Sequence, residues 1–248
     1  MCVAAIAWEA HPKWRLVALG NRDEFHERPA APLSHWDGDS GIIAGRDLQS
    51  GGTWLGVSEL GNFVLVTNLR GYGAPDPSRT SRGELVARLL EGQQYPEQLD
   101  RYNPFNVILA DKSDARFITN RPDATSARLA HGVYGLSNGA FDVPWAKTMQ
   151  LKSALLDWLV TGKHVEEPLF EALARKELGD FGLHPLLPSD VPIEAKETPV
   201  FIRNPIYRTR CSTVIMIDRT GNGRIVERRF SPEGEKTGQT AMEFAWPG

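Results

Sequence analysis

Cysteine is scarce in this chain: Cys2 and Cys211 are the only two. That excludes a disulfide framework and makes a cytoplasmic location the expectation. Long apolar runs are missing as well. No stretch approaches the roughly 18 apolar residues needed to cross a bilayer, so no membrane span is expected. The opening "MCVAAIAWEA" has no basic start and meets Glu9 after a short apolar run, unlike a secretory signal. Positive charge is not in surplus either. With 28 Lys and Arg against 31 Asp and Glu, the net charge is -3, which argues against nucleic acid as a partner.

Several motifs are absent. There is no G-x-x-x-x-G-K-[ST] phosphate loop and no G-x-G-x-x-G after a strand. "SGGTWLG" is glycine-rich but leads into a strand, whereas a phosphate cradle needs a helix N-terminus. No G-x-S-x-G elbow occurs. None of the six histidines pairs with another at metal-ligand spacing, so no structural zinc site is expected.

What is present reads as hairpins with helices grouped between them. "CVAAIAW" and "WRLVALG", at 2–8 and 14–20, are short, apolar and partly β-branched, with "EAHPK" as the turn. The Pro-, Gly- and Asp-rich stretch 25–41 reads as an ordered loop, followed by a brief strand in "GIIAGRD". Strands at 53–58 and 63–68 flank a turn at Leu60-Gly61-Asn62. "SRGELVARLLEG" is the clearest helix, with Ser81 and Glu84 spaced as a capping box. "FNVILADKSDARFITN" reads as strand, turn, strand. In the long helix "PWAKTMQLKSALLDWLVTG", Trp145, Met149, Leu151, Leu155, Leu156 and Leu159 share one arc, while Gln150, Ser153 and Asp157 face away. "PLFEALARKEL" is a further helix and "GLHPLLPSDVP" an irregular connector. A last hairpin runs from "CSTV" through Gly221-Asn222-Gly223 to "ERRFSP". This order predicts an antiparallel α+β fold, in one domain across residues 1–248.

Chemistry gathers at Cys2. A cysteine here is ordinarily an inert, half-buried apolar side chain. A methionine followed by a small residue is commonly trimmed, however, which gives Cys2 a free α-amine. The thiol is then a nucleophile and the amine, with an ordinary pKa of about 7.7–8.0, its base. A guanidinium nearby favours the thiolate. If the first two strands pair antiparallel, Arg22 and Asp23 of "GNRDEFHERP" lie beside Cys2. Arg22 would then stabilise the thiolate and Asp23 hold the amine. The alternative is a solvated turn with ion pairs of about 0–1 kcal/mol each. Asn68 and Asn138, at strand ends, either satisfy turn backbone or donate to an oxyanion, a role worth about 3–4 kcal/mol. Arg210 is a surface cation or a second charge at the site.

"MC", "GNRDEFHERP", "GGTWLG", "VTNLR", "SRGEL", "GLSNG…PWAK" and "TRCSTV" follow one another over nearly the whole chain. Together they resemble the NRDE family, also called the transport and Golgi organisation 2 family. That family is similar to N-terminal nucleophile hydrolases of the penicillin V acylase and bile salt hydrolase type. The resemblance implies a four-layer αββα sandwich with two packed antiparallel sheets. It also implies Cys2 as nucleophile, Arg22 and Asp23 at the second strand's end, Asn68 and Asn138 near the oxyanion, and Arg210 as the late arginine. The hydrolases separate their arginine and aspartate by a few residues, whereas Arg22 and Asp23 are adjacent.

Two functions follow as expectations. One is a cysteine amidohydrolase cleaving the carbon–nitrogen bond of a small-molecule amide, a chemistry that at Cys2 requires neither a metal nor an organic cofactor. The other is a carrier of acyl-CoA, lipid or haem-like ligands, with which the family has been linked; Arg70, Arg79, Arg82, Arg208 and Arg210 would suit such anions. Asn21, Glu24, Arg70 and Arg82 are the candidate binding residues. Loops 26–40 and 70–80 are expected to shape the pocket, and a homo-oligomer is compatible with either function.

Overall fold

The computed structural model describes residues 2–38, 41–183 and 198–247. Two antiparallel sheets pack face to face. The first has the order β10-β1-β2-β11-β12-β13, built from β1 (Cys2–Trp8), β2 (Trp14–Phe25), β10 (Gly132–Leu136), β11 (Tyr207–Asp218), β12 (Asn222–Phe230) and β13 (Lys236–Ala245). The second runs β3 to β9 in sequence order: β3 (Ala30–His35), β4 (Ile42–Asp47), β5 (Leu55–Ser58), β6 (Phe63–Asn68), β7 (Phe105–Ala110), β8 (Ala115–Thr119) and β9 (Thr125–Arg128). Helix α1 (Arg82–Leu90) lies on β4, β5 and β6; α2 (Ala146–Thr161) and α3 (Glu167–Leu173) lie on the other sheet. The result is the αββα sandwich that the resemblance implies.

Side chains alternate sides along a strand, and here both sides are interior. In β1, Val3, Ala5 and Ala7 pack under α2 and α3 with Val17 and Leu19. Ala4, Ile6 and Trp8 face the second sheet with Leu16 and Ala18. Burial on both faces is why "CVAAIAW" is apolar throughout. Gly20 admits Trp54, which leads into β5 of the second sheet and whose ring would lie 3.2 Å from a Cβ there.

The structure departs from the sequence reading at several elements. Strand β2 does not turn back at Gly20 but continues to Phe25, because β11 pairs along it as far as Tyr207. The loop expected over 25–41 holds β3, an edge strand whose register shifts between Ala31 and Ser34, where Pro32 has no N–H to give. Ser81 caps α1 through Gly83 N–H at 3.2 Å rather than through Glu84. In α2, Gln150 is buried and bonded to Glu177 O and Gly179 N–H, while Leu156 is exposed. Helix α3 ends at Leu173, five residues before the end of the expected segment. Strands β9 and β13 were not expected, and β10 was expected only as the strand ending near Asn138; β9 and β13 are sheet edges that keep most of their side chains exposed. Of the connector "GLHPLLPSDVP", residues 184–192 lie outside the described residues. The glycine turn at 221–223 is as expected, with Gly221 at φ +92° and Trp246 O 2.9 Å from where a Cβ would sit. Among the described residues no helix is long and apolar enough to cross a membrane.

Candidate active site

Three neighbouring strands place Cys2, Arg22 and Cys211 in one row: Cys2 is opposite Arg22 across β1–β2, and Arg22 is opposite Cys211 across β2–β11. All three line a cavity of about 550 Å³. Its walls come from both sheets, the start of α1 and the segments around Arg28, Asp47 and Asp76. The expected pocket loops, 26–40 and 70–80, thus supply Arg28, Ala30, Ala31 and residues 75–77 with Arg79 and Thr80.

Cys2 is half-buried, and its carbonyl accepts from Ser137 Oγ at 2.9 Å, which fixes the start of β1. Burial pushes its thiol above the ordinary range. The Asp23 backbone N–H and the Arg22 charge act in the opposite direction, towards the thiolate.

Arg22 Nη2 bonds Asp47 Oδ2 at 2.6 Å, and its Nη1 is buried without a hydrogen-bond partner among the described residues. Arg28 Nε meets the same Asp47 oxygen at 2.6 Å, and Glu24 lies 3.6 Å from both arginines. Burial would raise the Asp47 carboxyl, but bonds from Arg28 and Ser50 N–H and the charges of both arginines hold it below the usual carboxylate range. Asp47 and Arg28 therefore belong to the site, although nothing in "RDLQSGG" marks Asp47 and Arg28 was given no role within "GNRDEFHERP".

Because Asp23 follows Arg22 in an extended strand, its side chain takes the helix-covered face. Thr209 Oγ1 donates to Asp23 Oδ1 at 2.6 Å, and Tyr207 Oη to the Asp23 carbonyl at 2.6 Å. Burial pushes the Asp23 carboxyl up to about 6, against the Thr209 bond and the charges of Lys147 and Arg22. Lys147, from the "PWAK" segment, was assigned no role in the sequence.

The remaining candidates divide. Glu24, Asn68, Arg82 and Arg210 line the cavity with Cys2. Arg210 is the extra residue of a bulge between Thr209 and Cys211, a device that re-aims a side chain; its Nη1 donates to His26 O at 3.0 Å. Arg82, whose Nη1 donates to Pro104 O at 3.0 Å, is shifted down by burial while the Cys2 thiolate pulls it the other way. Asn21, Asn138 and Arg70 do not line the cavity. Asn21 is fully buried on the helix side, its Nδ2 donating to Leu173 O and Val200 O at 2.8 Å and its Oδ1 accepting from Ser212. Asn138 is fully buried and donates to Asn68 O at 2.7 Å, and its carbonyl accepts the Arg70 N–H. Of the other arginines, Arg79 lines the cavity and Arg208 does not.

The second thiol is a different case. Burial pushes Cys211 well up, with the Glu227 charge and its hydrogen bond to Glu227 adding to the rise. It is therefore a protonated wall residue, and within "TRCSTV" it was assigned no role. Among the described residues no three His, Cys, Asp or Glu side chains are grouped to hold a metal ion.

Residues 1–232 match the model of the family described as Transport and Golgi organisation 2. A Bos taurus protein named Transport and Golgi organization protein 2 homolog is 33% identical over 258 residues, covering 92% of each chain. Among solved structures, the Caenorhabditis elegans ortholog of N-acylethanolamine-hydrolyzing acid amidase is similar with a TM-score of 0.48 and 14% identity, over 86% of this chain and 92% of that one. A mutant conjugated bile acid hydrolase from Clostridium perfringens aligns with a TM-score of 0.47 and 10% identity, over 100% of this chain and 97% of that one.

Proposed function

The chain belongs to the Transport and Golgi organisation 2 family, and with that as premise we propose that it is a cysteine N-terminal nucleophile hydrolase of small-molecule amides. One observation carries the reading: Cys2 opens β1 on the wall of a cavity, opposite Arg22 and beside the Asp23 N–H. Removal of Met1 would leave the α-nitrogen of Cys2 next to its own thiol.

In the proposed reaction the amine takes the thiol proton and the sulfur attacks the amide carbon. The Asn68 side chain, on the cavity wall, steadies the oxyanion. The C–N bond then breaks as the amine returns its proton to the leaving nitrogen. Water attacks the thioester with the same amine as base, releasing the acid and restoring Cys2. Arg22 favours the thiolate, and Asp23 orients the amine.

A second reading, a carrier of acyl-CoA, lipid or haem-like ligands, draws on Arg82 and Arg210. Both line the cavity and bond backbone carbonyls, which leaves their charge available to an anion. Cys2→Ser separates the two. With a panel of N-acyl amides, the hydrolase requires a wild-type mass lacking Met1 and amine release that Cys2→Ser abolishes in a folded protein. Retention of Met1 in active protein, or turnover by Cys2→Ser, would overturn it. Ligand affinity unchanged in Cys2→Ser, with no turnover by either protein, would favour the carrier.

A further inference from the structure

Lysine is among the residues least often buried, yet Lys147 is 1% exposed. It stands second in α2, where the positive end of the helix disfavours a cation. Its Nζ donates to Thr198 Oγ1 at 2.9 Å and lies 5.3 Å from the centre of the Trp145 ring. Helix α2 packs on β1, and the charged or titratable groups that act on Lys147 include Asp23 of β2, Arg70 beyond β6 and Cys2 of β1. Asp23 is acted on in turn by the chain's α-ammonium, Thr209 of β11, Lys147 and Arg22, in that order of size. A cation has thus been placed behind the nucleophile, on the face of the sheet away from the cavity.

A buried ion pair is weak evidence for a stabilising role, because apolar residues of similar volume often serve as well. Its effect on neighbouring charges is another matter. We propose that Lys147 is a positioning residue that, through Asp23, holds the processed amine of Cys2 as a free base; this rests on the hydrolase reading of Cys2. The Lys147 charge acts on the Asp23 carboxylate, so the Cys2 ammonium gains less from it, and the two cations repel. Both effects lower the pH at which the amine loses its proton, and the same positive charge favours the Cys2 thiolate. Burial lowers Lys147 to about 8 and raises Asp23 to about 6, so at pH 7 both are mainly charged, as the proposal requires.

The test is peptide-level mass spectrometry of Cys2, following amine dimethylation and thiol alkylation by iodoacetamide across pH. In wild-type protein the amine midpoint should fall below the ordinary range of about 7.7–8.0. In Lys147→Met both midpoints should move up by about one pH unit, slowing alkylation at pH 7 by about tenfold. Lys147→Arg, which keeps the charge, should restore the wild-type profile. Identical profiles for wild type and Lys147→Met, or a folded Lys147→Arg that behaves like Lys147→Met, would overturn the proposal. Should Lys147→Met not fold, the wild-type midpoint decides: one at or above the ordinary range overturns it. Retained Met1 or an unreactive Cys2 in wild-type protein would sink the hydrolase reading and this inference together. Processed, reactive Cys2 with an unmoved profile would sink the inference alone.

Discussion

Arg22 and Asp47 meet at 2.6 Å across the interface between the two sheets, and the Cys2 thiol is answered by a guanidinium that is already paired. The arginine is therefore a tempered cation, held in place by the sheet opposite.

Removing the Asp47 carboxylate should uncover both sides of that arrangement. The two side chains are 10% and 11% exposed, and breaking a pair buried to this degree removes about 3 kcal/mol of stability. Asp47→Asn should lower the urea midpoint accordingly. Alkylation of Cys2 at neutral pH should become faster, since more of the Arg22 charge is then felt by the thiol. A slower reaction in a folded variant would contradict this view of Arg22.

Asp23 gives a pH signature of unusual sign. Its folded-state carboxyl is raised to about 6 from an ordinary 3.8, so between these values the native state binds more protons than the unfolded chain. The contribution of Asp23 is most favourable below the lower value and is lost as pH rises through the higher one, a change of about 2–3 kcal/mol. Asp47, held low, acts in the opposite sense and loses its contribution as pH falls. Urea unfolding at a series of pH values should show Asp23→Asn gaining on wild type from pH 4 to pH 6, then running parallel to it. A constant difference throughout would mean that Asp23 titrates normally.

Two asparagines should fail in different ways. Asn21→Ala leaves two buried carbonyls and the Ser212 hydroxyl without their partner, so stability should drop by about 2–4 kcal/mol. Asn68, exposed at the cavity, should tolerate alanine in thermal melts. Under the hydrolase reading its loss should lower kcat about 10²–10³-fold. Equal melting losses in both variants would remove the distinction.

Hairpins and helices were legible wherever local pattern and burial agreed, as in β1, β6, β7, β8 and α1. The edge strands were not. β9 and β13 bury little, so "TSAR" and "KTGQTAMEFA" lack the apolar signal on which strand assignment depends. Gln150 and Lys147 were misread or passed over because each is buried by what packs on α2, a tertiary circumstance absent from the helical wheel. At the site, the placing of Arg22 and Asp23 beside Cys2 followed from strand pairing alone. Asp47 comes from the opposite sheet, Glu227 from β12 far along the chain, and Arg28 from the turn after β2, and only the folded strands bring all three to the site.

The bulge at Arg210 bears on how this chain tolerates changes of length. Opposite it, β2 runs with Arg22 on one interior and Asp23 on the other, and an insertion or deletion there would exchange their addresses. Beside the site the surplus residue is accommodated instead in β11, where it becomes a side chain of the cavity wall; the second register shift, which leaves Arg15 of β2 as the extra residue, lies at the far end of the pair. At the site end a change of spacing therefore has its outlet in β11, and the Asn21–Glu24 stretch of β2 serves as the ruler against which the rest of the site is laid out.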